Sequence, residues 1–174
     1  PTSCQKAMGS PMRYMKKLMR DNAREKYPDE FGDHIAAKKP FTIVINMRDA
    51  HRSLSNHNEL VEAVRRFNPD SDVIVFLPEE NLISTLRKHF FANIIIGPHG
   101  AGLSNMVFAP DGATVIELHP AKGNELRDVP HGINICHQVT AWRSNLHSIM
   151  LLENNGDPGS KFETNISRVI DTVY

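Results

Sequence analysis

The sequence predicts an α/β domain built on an open parallel sheet of the Rossmann-like kind. Three observations carry that expectation. The length of 174 residues, 40% hydrophobic and 23% charged, suits one folded core and is too apolar for a disordered chain. From Pro40 onward, β-rich apolar segments alternate with segments of helical periodicity, joined by short links. The run Val73 to Leu77 is apolar without alternation, as a strand buried on both faces of a parallel sheet would be. Strand and helix in alternation give a sheet with helices on both sides.

The elements follow in order. Ser10 and Pro11 suit the N-cap and first position of a helix that runs to residue 26. Met12, Met15, Leu18 and Met19 recur at helical spacing and read as its packing face. Tyr27 to Pro40 reads as a connector, so residues 1–39 form a linking helix and connector, and 40–174 the α/β domain. Phe41 to Asn46 is the first strand. A helix begins at Asn56, with Glu59 placed for a capping box, and ends at Asn68-Pro69-Asp70. Residues 73–77 are the second strand, 81–90 a helix and 93–96 the third strand. A tight loop at His99 to Gly102 leads into a short helix at 103–108, and Ala113 to Leu118 is the fourth strand. Beyond Pro120 the pattern weakens. Ile133 to Val139 reads as a fifth strand, 142–155 has no clear period, and 162–173 reads as a closing helix with Phe162, Ile166, Val169 and Ile170 inward.

Charge and composition exclude several classes. Lys+Arg and Asp+Glu balance at 20 each, which argues against bulk nucleic-acid binding while leaving room for a local anion site. The longest apolar run, residues 73–77, is far short of the roughly 20 residues that span a bilayer. Pro1 to Ser10 has no signal-peptide core. The chain opens on Pro rather than Met, as a fragment or processed form would, so this says nothing of a longer protein. Two cysteines, Cys4 and Cys136, leave the redox compartment open. Nine histidines without His-Glu-x-x-His or paired Cys-x-x-Cys spacing give no metal site by spacing.

Ligands of open parallel sheets bind beyond the carboxyl ends of the strands. Two loops stand there. The loop from Met47 to Asn56 carries Arg48 and Arg52 just before a helix start, where guanidinium forks and free amides suit a phosphate or pyrophosphate. A solvated loop with Asn56 as a plain cap is the alternative. The loop Gly97-Pro98-His99-Gly100-Ala101-Gly102-Leu103 lets a ligand approach the backbone closely and aims a helix N-terminus at it. A tight turn that needs glycine for its dihedrals is the alternative. Glu117, at the end of the fourth strand, could accept both hydroxyls of a ribose or partner a nearby cation. Asn105 could meet a ligand or cap a carbonyl. An α/β-hydrolase reading of His-Gly-Ala-Gly fails, because no Gly-x-Ser-x-Gly elbow exists.

These motifs carry a family resemblance. The segment GPHGAGLSNMVFAPDGATVIEL, Gly97 to Leu118, resembles the signature of glycosyltransferase family 61, which includes plant xylosyltransferases and animal N-acetylglucosaminyltransferases. The family's Arg-x-x-x-Arg-x-x-x-Asn-x-x-Glu-Leu pattern matches Arg48, Arg52, Asn56, Glu59 and Leu60 in register. The resemblance covers about residues 41 to 120. Thr85 and Met47 depart from it, standing where the family often has Gln and a small residue.

The resemblance implies the C-terminal domain of a GT-B glycosyltransferase, with an N-terminal acceptor domain absent from this chain. It implies an inverting transferase moving a sugar such as xylose or N-acetylglucosamine from a UDP-sugar to a glycan or glycoprotein acceptor. Arg48, Arg52, Asn56, His99, Gly100, Ala101, Gly102, Asn105 and Glu117 are then the substrate-binding candidates. His99 is also the one candidate base in the chain. No metal or other cofactor is expected, because Arg48, Arg52 and the amides from Gly100 to Leu103 would take the place of the cation that GT-A enzymes use. The location implied is the Golgi or endoplasmic reticulum lumen, as a type II membrane protein, for a eukaryotic source, and the cytoplasm for a bacterial polysaccharide transferase. A non-catalytic nucleotide-sugar-binding relative is the remaining alternative.

Overall fold

The computed structural model describes residues 3–49, 51–77, 81–121, 135–153 and 161–173, with side chains from Pro11 onward. Its centre is a five-stranded sheet of β1 (Thr42–Asn46), β2 (Asp72–Phe76), β3 (Ile94–Pro98), β4 (Thr114–Pro120) and β5 (His147–Glu153). The spatial order is β2-β1-β3-β4-β5, and every neighbouring pair is parallel. Parallel neighbours require crossovers, and helical segments supply them. Between β1 and β2 runs α4 (His57–Phe67), between β2 and β3 runs α5 (Leu82–His89), and between β3 and β4 a 3-10 helix spans Ala101–Phe108. Between β4 and β5 lies α6 (Cys136–Arg143), and α7 (Ile166–Val173) follows β5. Upstream of the sheet stand α1 (Ser3–Lys26), α2 (Pro28–Phe31) and α3 (Asp33–Ala36).

Alternation along each strand builds two cores. Ile43, Ile45, Ile94, Ile96, Ile116 and Leu118 point to one face, where Leu60 and Val64 of α4 and Val169 and Ile170 of α7 cover them. Val44, Ile95 and Val115 point to the other, under Leu103, Met106 and Ala141. Central strands so covered must be apolar on both faces, and all five residues of β1 and of β3 are buried. The segment 73–77 was expected to share that burial. Instead β2 is an edge strand, and residues 72–75 are only half-buried because one flank has no neighbour.

Other expectations need correcting. Residues 135–139 lie not in a fifth strand but in the approach to α6 and its first turn. His137, Ala141 and Ser144 are buried at helical spacing, which outweighs the local β character; residues 133 and 134 lie outside the described set. The fifth strand is 147–153, within the stretch that showed no period. Residues 162–165 stay extended, since Phe162 N donates to Ser53 O (3.0 Å) and Ser55 N to Phe162 O (2.9 Å). Asn165 Oδ1 then accepts from Arg168 N at 3.1 Å, at the start of α7. The connector contains the single turns α2 and α3, because Phe31 is drawn inward onto Phe90, ring centroids 4.7 Å apart.

The first helix starts at Ser3, upstream of Ser10, and carries Pro11 inside it. Its buried face is not the Met stripe. Lys16, Arg20 and Ala23 point inward, while Tyr14, Met15 and Leu18 are exposed. Lys16 Nζ donates to Ser144 O (2.7 Å) and pairs with Asp111 (2.8 Å). Arg20 donates to the carbonyls of Phe90 (2.8 Å) and Phe108 and stacks 3.8 Å over the Phe90 ring. Burial, with Arg24 next, pushes Arg20 down to about 10, and the two carbonyls and the ring compensate the charge. No helix among the described residues is long and apolar enough to cross a membrane.

Candidate functional site

From β1 the chain crosses to β2 on one side, then returns to β3 on the other. The strand order therefore reverses between β1 and β3, and a crevice opens beyond their carboxyl ends. A cavity of about 370 Å³ lies there. Asn46, Met47, Arg48 and Asp49 line it from the β1 side, and Pro98, Ala101, Gly102, Leu103 and Asn105 from the β3 side, with Phe76 also in its wall. Both sequence-predicted loops thus meet at one site.

Close backbone approach holds the two loops together. Arg48 Nη1 donates to His99 O at 3.2 Å, bridging the loops. It lies in a notch that only glycine leaves open: Gly100 sits at φ +153°, and a Cβ there would stand 1.7 Å from Arg48 Nη1. Asn46 makes a second bridge, its Nδ2 donating to Gly102 O at 3.1 Å. The 3-10 helix then begins at Ala101 and leaves its first amides at the crevice.

Positive charge gathers at this edge, with Asp49 opposing it in part. Burial lowers the Arg48 pKa, and the neighbouring Arg52 guanidinium lowers it further against the opposing effect of Asp49. Nε of Arg48 and Nε of Arg52 are both buried without a hydrogen-bond partner. Arg52 holds a left-handed φ of 63°, uncommon for a non-glycine residue. Two neighbouring guanidinium groups with donors to spare, beside the first amides of the 3-10 helix at Ala101 and Gly102, suit a multiply charged oxyanion.

Behind the glycine-rich loop stands a histidine cluster. Glu117 is fully buried; one oxygen accepts from His99 Nδ1 and the other from Gln138 Nε2. The carboxylate therefore orients His99 rather than facing the cavity. The His99 ring centroid lies 4.6 Å from that of His119 and 5.1 Å from that of His137. Burial is the main cause that holds His119 and His137 below the ordinary imidazole value, and so mainly neutral near pH 7.

Of the nine sequence-predicted residues, Arg48, Ala101, Gly102 and Asn105 line the cavity. His99 and Gly100 adjoin it through Arg48, and Arg52 stands near enough to act on Arg48. Glu117 and Asn56 are engaged elsewhere. Asn56 makes no side-chain cap, so the expected capping box is absent; its Nδ2 donates to Thr164 O (2.9 Å) and its Oδ1 accepts from Thr164 N (3.1 Å). Sequence reasoning missed Asn46, His119, Cys136, His137 and Gln138. Asn46 carried a signal, a polar residue closing an apolar strand at the ligand-binding edge. Cys136, His137 and Gln138 carry none, because the strand pattern at 133–139 hides the helical face of α6, and His119 lies just past the end of the predicted fourth strand.

The sequence profile of the family described as Glycosyltransferase 61 matches residues 1–116. The EGF domain-specific O-linked N-acetylglucosamine transferase of Bos taurus is 38% identical over 71 residues, 40% of this chain and 14% of that protein. The protein O-linked-mannose β-1,4-N-acetylglucosaminyltransferase 2 of Tetraodon nigroviridis is 33% identical over 89 residues, 51% of this chain and 15% of that protein. Its Homo sapiens counterpart is 29% identical over 109 residues, 59% of this chain and 18% of its own length. The chain thus spans less than a fifth of these curated relatives.

Proposed function

The chain belongs to the glycosyltransferase 61 family, and from that premise we propose that it forms the donor-binding half of an inverting, UDP-sugar-dependent transferase of GT-B architecture. The observation that carries the reading is the pair of guanidinium groups, Arg48 and Arg52, each with a buried Nε that has no partner, beside the Ala101 and Gly102 amides at the strand-order reversal. Departure of a nucleoside diphosphate places extra negative charge on its pyrophosphate. Donors already aimed at that position stabilise the charge as it develops, without a divalent cation. Met47 and Phe76 offer the cavity an apolar wall for a flat base. Asn105, also in the wall, is placed to contact the donor.

Transfer to a glycan or glycoprotein hydroxyl requires a base. His99 gives its Nδ1–H to Glu117, so its imidazole is oriented, but it stands behind the phosphate loop. We assign it to shaping that loop, with the base supplied from the acceptor side. The exposed Tyr14, Met15 and Leu18 of α1 support a further domain docking against this helix. The secretory pathway is the location that fits a glycoprotein acceptor.

Calorimetry of UDP binding tests the proposal. A charge-assisted hydrogen bond contributes roughly 1.5–3 kcal/mol, so Arg52→Ala should weaken binding about 10- to 150-fold. Arg52→Lys should recover only part, because an ammonium cannot reproduce the guanidinium fork. Binding should persist in EDTA. Unchanged affinity in Arg52→Ala, or loss in EDTA that manganese restores, would overturn the assignment.

A further inference from the structure

We infer that a zinc-class divalent ion binds between the glycine-rich loop and the start of α6, held by His99, Cys136 and His137. The site lies outside the cavity assigned to the donor and goes beyond the proposed reaction, in which no metal takes part. One ligand atom from each of the three residues lies within 4.8 Å of the others. Tetrahedral zinc, with bonds of about 2.0–2.3 Å, needs ligand atoms roughly 3.3–3.8 Å apart, so small side-chain rotations close the set.

The His99 ring is already oriented for such a role. Zinc-binding imidazoles give one N–H to a carboxylate or carbonyl and turn the other nitrogen to the metal. His99 gives Nδ1–H to Glu117, which leaves Nε2. His137 is buried beside His99, ring centroids 5.1 Å apart, and one of its ring nitrogens falls within the compact set. Gln138, next in the chain after His137, secures the second oxygen of Glu117. His99 and His137 are buried, whereas Cys136 is exposed, so the thiol marks the side from which an ion enters and on which water completes the coordination.

A second grouping, His99 with Glu117 and His119, is also compact. It would need Glu117 to give up either His99 or Gln138, so the set containing Cys136 is favoured. Two imidazoles and a thiolate select zinc over magnesium, calcium or manganese, which prefer oxygen donors. Such an ion would tie the first turn of α6 to His99 behind the loop, and the donor contacts of Arg48 and Arg52 would not depend on it.

Cobalt(II) titration of the metal-free protein, with no nucleotide present, tests this separately from the donor assignment. One saturable site should appear, with a thiolate-to-cobalt charge-transfer band that zinc displaces and excess magnesium leaves intact. Cys136→Ser should abolish the band; being exposed, that position tolerates serine. His137→Gln should weaken zinc binding at least tenfold. Glu117→Gln should weaken it about 10- to 100-fold, the usual cost of losing such an orienting partner. His147→Asn, at an exposed position on β5, should change nothing. Absence of the band in the unaltered protein, or its survival in Cys136→Ser, would overturn the inference.

Discussion

Gly100 shows how a single missing methyl group can set a binding site. Its φ of +153° lies in a region that costs a side chain about 1–3 kcal/mol, and the space a Cβ would take is held by the Arg48 guanidinium. Arg48 is the mobile partner, so Gly100→Ala should displace it from the His99 carbonyl rather than break the loop. We expect Gly100→Ala to lose UDP affinity nearly as far as Arg48→Ala does. The double variant should be little worse than either, because both changes remove the same guanidinium position. Strictly additive losses in a double-mutant cycle would separate the two residues. Asn46 and His89 form a comparable relay deeper down. His89 Nδ1 meets Thr85 O at 2.9 Å and its Nε2 lies 3.4 Å from Asn46 Oδ1, which steadies the amide that bridges to Gly102.

At the scale of elements, the C-terminal segment is tied to the loop before α4 by one side chain. Asn56 exchanges two hydrogen bonds with the Thr164 backbone, and Thr164 Oγ1 in turn donates to the buried Glu153 at 2.6 Å. Removing both bonds should cost about 1–3 kcal/mol. Asn56→Ala is therefore expected to lower the thermal midpoint while the folded protein keeps its UDP affinity; a selective loss of affinity would instead make Asn56 a ligand contact. This tie was not legible in the sequence, because its partners lie 108 residues apart. What was legible is local. Apolar β-rich runs and the period-3.6 pattern placed β1, α4, β2, α5, β3 and β4 within a residue or two, and Asn81 caps α5 as its type allows, accepting from Ser84 N at 2.9 Å. The pattern misled where tertiary contacts outvote it. Met15 and Leu18 of the α1 stripe face outward and Met12 and Met19 are only half-buried, because carbonyls of Phe90, Phe108 and Ser144 draw Lys16 and Arg20 inward. The β-like run at α6 is helical because the sheet's face needs Ala141.

On the scale of the whole molecule, a net charge of zero conceals two neighbouring guanidinium groups and a histidine cluster at one sheet edge. Arg48, Arg52, His99, His119 and His137 gather there, while α4 starts nearby with His57, which is buried and has an unpartnered Nε2. The loops supplied the motif in the sequence, but only the strand order β2-β1-β3-β4-β5 sets them on either side of one crevice. The arrangement also predicts how the fold responds to acid. Burial holds the His57 pKa below its ordinary 6.5 in the folded chain, so the unfolded chain binds this proton more readily. Stability then rises with pH through that window. The His57 contribution is fully present above the unfolded value and is lost as pH falls through the lower folded one. Thermal midpoints measured between about pH 7 and pH 5 should therefore decline on acidification, and His57→Gln should flatten the decline. The variant has no imidazole to protonate, so its proton uptake on unfolding near pH 6 should be smaller by a fraction of one proton. An identical slope in the variant would place the acid sensitivity elsewhere and leave His57 as a packing residue alone.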